Sequence, residues 1–123
     1  MSKTISKKTR IAVYNKYDGH CAYCGKKLEY KDMQVDHLIP KQREYFKKYS
    51  EDEINCFENY MPSCRRCNHY KRAHSLETFR KMVEEIPKKL LERNYIYKVG
   101  IDFNLIKPNE HGIIFYFERF NKI

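Results

Sequence analysis

The chain has 123 residues, with 25 Lys and Arg against 16 Asp and Glu, a net charge of +9 and a mean hydropathy of −0.84. This length suits one domain with a modest core, and no apolar run is long enough for a membrane-crossing helix. The cationic surplus attracts polyanions, nucleic acid first, although a solvated basic surface accounts for the charge equally well on its own.

The basic start MSKTISKKTR has no apolar stretch behind it, so no secretory signal is read there. Five cysteines in such a chain point to a reducing, cytoplasmic setting and to metal thiolates rather than disulfides. Residues 6–17 are expected to form a short helix capped by Ser6, with Ile11, Ala12 and Tyr14 on its apolar side. Lys7, Lys8 and Arg10 fall in its first turns, where the helix dipole disfavours cations. Asp18 and Gly19 end it.

Cys21 and Cys24 follow in CAYC, in a turn closed by Gly25. Residues 33–39, MQVDHLI, read as a strand stopped by Pro40. A polar, irregular connector follows from Lys41 to Phe57, with a helical turn expected within YFKKYSEDEIN. NYMP leads into a second CxxC, Cys64 and Cys67 in CRRC, after which CNHYKR starts a helix. Ser75 is placed to cap another, with Leu76, Phe79, Met82, Val83 and Ile86 on one face and a break near Pro87. The tail reads as strands: Tyr95, Tyr97 and Val99, then Phe103 and Leu105, then Ile113 to Phe117. PNEHG at 108–112 would turn the last two into a hairpin. The domain expectation is a unit over 1–93 and a β-rich extension over 94–123 packed on it. The aromatic tail hairpin is the candidate homodimer surface.

Two CxxC pairs, 39 residues apart, supply four thiolates, the donor set of a tetrahedral structural zinc site. Cys56 has no partner pair and reads as a small buried side chain or a free thiol. Around the pairs stand Asp36 and His37, Asn59 and Asn68, which singly read as a solvated strand charge, a surface His and turn residues. Asp36 and His37 are neighbours, and neighbours on a regular strand point to opposite faces. Both can serve one site only where the strand ends or bulges.

The motifs CAYC, VDHLIP and ENYMPSCRRCNHYK, in this order, resemble the HNH endonuclease family, in its two-CxxC zinc subgroup, over roughly residues 10–80. The resemblance implies a small α+β domain built on a ββα-metal (His-Me finger) unit, zinc-stabilised, with flanking helices and the tail hairpin. It implies a metal-dependent endonuclease that hydrolyses phosphodiester bonds in DNA. His37 would be the general base, and Asn59 the residue that braces its loop and orients it. Asp36 and Asn68 would ligate a catalytic Mg2+ or Mn2+, with His69 next in line should Asn68 not touch the ion. Arg65, Arg66, Lys71 and Arg72 form a basic cluster there, with Lys71 as the foremost phosphate contact. Two departures from the family pattern stand out. The stretch between His37 and Asn59 is long and lacks a Gly-rich turn, and KRAH replaces a glycine soon after Asn68. The competing reading is a zinc-stabilised, non-catalytic nucleic-acid-binding module.

Overall fold

The computed structural model describes residues 4–42, 45, 47–109 and 111–120, in two compact units. One comprises Met1–Leu76 with Ile114–Ile123, the other Glu77–Ile113.

In the first unit, helix α1 spans Lys7–Asn15, and the Ser6 hydroxyl accepts from the Thr9 amide, the N-cap expected from the sequence. The buried residue of α1 is Val13, whereas Ile11, expected on its apolar side, is exposed. The helix instead turns polar side chains inward to serve backbone: Arg10 donates to the Met33 carbonyl, and Tyr14 hydroxyl to that of Leu28 at 2.6 Å. At its end Asp18 and Gly19 take positive φ, 53° and 76°. A Cβ on Gly19 would meet the Tyr14 hydroxyl at 2.9 Å, so glycine is required there both by conformation and by space.

Strand β1, Gln34–His37, pairs antiparallel with β2, Tyr60–Ser63, in the register Gln34 to Ser63 and His37 to Tyr60. All four residues of β2 are buried. The Ala22 amide donates to the Pro62 carbonyl at 2.8 Å, which ties the first CxxC to β2. Between the strands lies a four-residue helix α2, Glu51–Ile54, where Ser50 and Glu53 form a reciprocal capping box. It is the helical turn expected in the connector; residues 43, 44 and 46 of that stretch lie outside the described residues. Helix α3, Arg65–Lys71, follows β2 directly.

The second unit is helical. Helix α4 spans Leu76–Glu84 and buries Phe79, and α5, Ile86–Arg93, begins with Pro87 in its first turn, where a missing N–H costs nothing. Helix α6, Tyr95–Asp102, corrects the sequence reading, which had strands over 95–105. Asn94 caps α6 by accepting from the Tyr97 amide at 2.9 Å, and that local bond selects helix over the weak β preference of Tyr, Ile and Val.

The hairpin expected over 103–117 is absent among the described residues, so the dimer surface built on it loses its basis. Residue 110 of its turn lies outside them. The last segment returns to the first unit as a short helix α7, Tyr116–Arg119. Tyr116 and Phe117 donate their amides to the carbonyls of Tyr23 and Ala22 at 3.0 and 2.8 Å. Phe115 and Phe117 meet the Tyr23 ring edge-on at 5.6 and 6.2 Å. The tail aromatics of 115–117 therefore complete the core around the first CxxC, one of the two roles left open from sequence. Among the described residues no helix is long and apolar enough to cross a membrane.

Candidate active site and metal centre

Cys21, Cys24, Cys64 and Cys67 bring their sulfurs within 4.8 Å of one another. Four ligands at the usual zinc–sulfur distance stand about 3.8 Å apart in a tetrahedron, and Cys24 and Cys64 are separated by 3.9 Å. The fit is that of a structural zinc site. Local backbone shapes it: Gly25 turns the first pair at φ 81°, and Cys64 is the N-cap of α3, accepting from the Cys67 amide at 3.4 Å. Cys21 accepts from the Cys64 amide at 3.3 Å, so the first pair also holds the backbone of the second. Hydrogen bonds from the thiols of Cys24 and Cys67 push Cys21 far below the ordinary thiol range, and the same crowding pushes Cys67 up. A thiolate at the centre of this group is what a soft divalent cation stabilises.

His37 is the last residue of β1, at the strand end where the sequence required it. Its Nε2 lies 3.2 Å from Asn55 Oδ1, and its ring meets Tyr60 edge-on at 5.2 Å. With the amide oxygen accepting from Nε2–H, Nδ1 keeps its lone pair and is the basic nitrogen. Burial lowers the His37 pKa below the ordinary imidazole value, partly opposed by the Asn55 bond, which leaves the ring neutral near pH 7.

Asn59 is buried and serves three backbone groups. Its Oδ1 accepts from the Ile39 amide at 2.7 Å, and its Nδ2 donates to the carbonyls of Ile39 and Ile54 at 3.0 and 2.8 Å. The Asn59 carbonyl accepts from the Leu38 amide at 2.9 Å. The two residues after His37 are thereby clamped to the end of α2, next to Asn55. Lys16 supports the same turn from α1's C-cap, donating to the carbonyls of Phe57, Glu58 and Tyr60 at 3.0, 3.3 and 2.8 Å.

Asp36 points away from His37 and towards Tyr23 and α3. Its Oδ2 accepts from the Tyr23 hydroxyl at 2.5 Å and lies 3.1 Å from the Lys71 ammonium. Burial and the neighbouring carboxylate hold the Tyr23 phenol well above its usual pKa, so it stays a donor. Lys71 is fully buried and donates to the His37 carbonyl at 3.1 Å. This corrects the expectation that Lys71 contacts phosphate: its charge is consumed inside, against Asp36. Asn68, one turn earlier on α3, donates to Gln34 Oε1 at 2.5 Å.

The residues expected at the catalytic ion thus line one side of β1 but are engaged with protein partners. A carboxylate and an amide oxygen are hard donors of the right kind for Mg2+ or Mn2+. In this arrangement, however, the cation at Asp36 is Lys71. Among the described residues no group of three or more His, Cys, Asp and Glu other than the four cysteines gathers as a metal site. The arrangement therefore does not suit a divalent ion at Asp36 unless Lys71 gives way. No hydrogen bond joins His37 to Asn68; α3 links them, through Asn68 to Gln34 and through Lys71 to His37. Arg65, Arg66 and Arg72 are exposed. Sequence reasoning passed over Tyr23, Gln34, Asn55 and Lys16, none of which carries a motif signal.

Residues 21–74 match the family model described as HNH endonuclease. The matched stretch holds both CxxC pairs, β1, β2 and α3, so the family resemblance drawn from the motifs is shown over this segment. No curated protein matches the chain.

Proposed function

We propose that the chain is an endonuclease that hydrolyses phosphodiester bonds in DNA, with His37 as the general base. What supports the reading most is a half-buried imidazole, its Nε2 turned to Asn55 Oδ1 and its pKa lowered by burial, at the end of β1 within the stretch that matches the HNH model. Such a group accepts a proton from water at neutral pH, and its strand end is held from two sides by Asn59 and Lys71. The water it activates attacks phosphorus and the 3′ oxygen leaves, so ends with 5′-phosphate are expected.

The family resemblance implies a divalent Mg2+ or Mn2+ at Asp36 and Asn68, and binding there requires Lys71 to leave Asp36. When bound, it would supply charge stabilisation at the phosphate. Lys71 at Asp36 has no place beside it in the described arrangement, so the residue roles above are written without the ion.

That same ion pair favours a second reading, a zinc-stabilised nucleic-acid-binding module without catalysis. Incubation of supercoiled plasmid with the zinc-loaded protein and Mg2+ or Mn2+ separates the two. Nicked circles formed by the wild type and not by His37→Ala support the endonuclease. Intact plasmid under every divalent ion, with DNA binding retained, establishes the module.

A further inference from the structure

A cleft of about 1070 Å³ lies beside the cysteine cluster, within the first unit. Its lining comes from two stretches of chain: Lys26, Lys27 and Lys31, from the first CxxC turn and the segment after it, and Arg65, Arg66 and His69 of α3. All six are exposed, and among the described residues none of these lysines and arginines is in an ion pair. The carboxylates of the cleft are those of Glu29 and Asp32. Five unpaired cations against two carboxylates repel one another, and a polyanion in the cleft removes that repulsion. Gln34, which accepts from Asn68, also lines the cleft, so its edge reaches β1 and α3.

We propose that this cleft is the track for the sugar-phosphate backbone of the nucleic acid, with Lys26, Lys27 and Lys31 as phosphate contacts together with Arg65 and Arg66. The inference rests on the proposed nuclease reading for its ligand and extends it to three lysines that carry no motif signal. Both stretches adjoin the cysteine cluster: Lys26 follows Cys24 by two residues, and Arg65 follows Cys64 directly. Backbone contacts of this kind position the strand and carry no sequence information.

The test measures binding alone. In a His37→Ala chain, affinity for a short labelled DNA duplex is followed by fluorescence anisotropy against salt concentration, without divalent metal. Each lost phosphate contact lowers the slope of log K against log salt by about 0.9. Lys26→Ala, Lys27→Ala and Lys31→Ala together are therefore expected to reduce it by about 2–3. Arg65→Ala with Arg66→Ala is expected to reduce it as well. The control is Lys88→Ala with Lys89→Ala, two exposed lysines on α5, and zinc content verifies folding in every variant. An unchanged slope in the lysine variant, an equal fall per charge in the control, or no binding by the parent overturns the proposal. Since cleavage is not read here, a wild-type chain that binds through the cleft but never nicks DNA would remove the nuclease reading and leave the cleft standing.

Discussion

At the scale of single residues, the central group is His37, whose environment sets a pH dependence. Desolvation moves its pKa below 6.5, the ordinary value, and the bond to Asn55 moves it partly back. Because the base acts when neutral, cleavage should rise with pH through an acid limb below 6.5 and reach a plateau above it. Asn55→Ala removes the partner that favours the protonated ring, so the limb should shift to still lower pH. Single-turnover rates across a pH series read both, and a limb above 6.5 in the wild type contradicts the assignment. Lys71 carries a separate prediction. Removing one member of a buried ion pair leaves the other charge uncompensated and typically costs about 3–5 kcal/mol. Lys71→Met should destabilise the zinc-loaded protein by that order in chemical denaturation, and adding Asp36→Asn should recover part of it. Equal stability of the single and double variants would place the cost elsewhere.

At the scale of elements, the motif-bearing parts were legible in the sequence and the tail was not. Ser6, Gly19, Gly25 and Pro87 act through local backbone chemistry, which a sequence displays directly, and each stands in the role its residue type implies. The CxxC pairs were legible because ligand spacing is itself local. The 95–105 segment was not: Tyr95, Tyr97 and Val99 alternate like a strand, yet one side-chain cap from Asn94 decides for helix. The inward role of Lys71 was hidden for a different reason. Whether a lysine meets solvent or a carboxylate depends on α3 packing against β1, and spacing alone does not encode that. Tyr23 and Asn55 escaped in the same way, being partners across 13 and 18 residues. A zinc ion in the cysteine cluster would tie these elements together, since Cys64 caps α3 and is also one of the four cysteines that would ligate it. Zinc removal by a chelator should therefore unfold α3 and loosen β1 and β2, lowering ellipticity and abolishing DNA binding together. Retention of the native spectrum by the metal-free protein would show that the sulfur cluster is dispensable for the fold.

At the scale of the whole molecule, the surplus charge and the HNH-matching segment with its cysteine cluster both support the proposed nucleic-acid ligand. Much of the cationic surface is generic, but the cleft gathers cations from two chain segments that meet at the cysteine cluster. The second unit, Glu77–Ile113, carries exposed Tyr95, Ile96, Phe103 and Leu105, and the segment matching the HNH model ends before it. The residues proposed for catalysis all lie in the first unit. The most direct measurement is single-turnover cleavage of plasmid DNA by wild type and His37→Ala, with zinc content and DNA affinity determined on both. Loss of a general base lowers the rate by about 10²–10⁴-fold, and the account predicts that fall with zinc and affinity unchanged. Equal cleavage by the two proteins would contradict it.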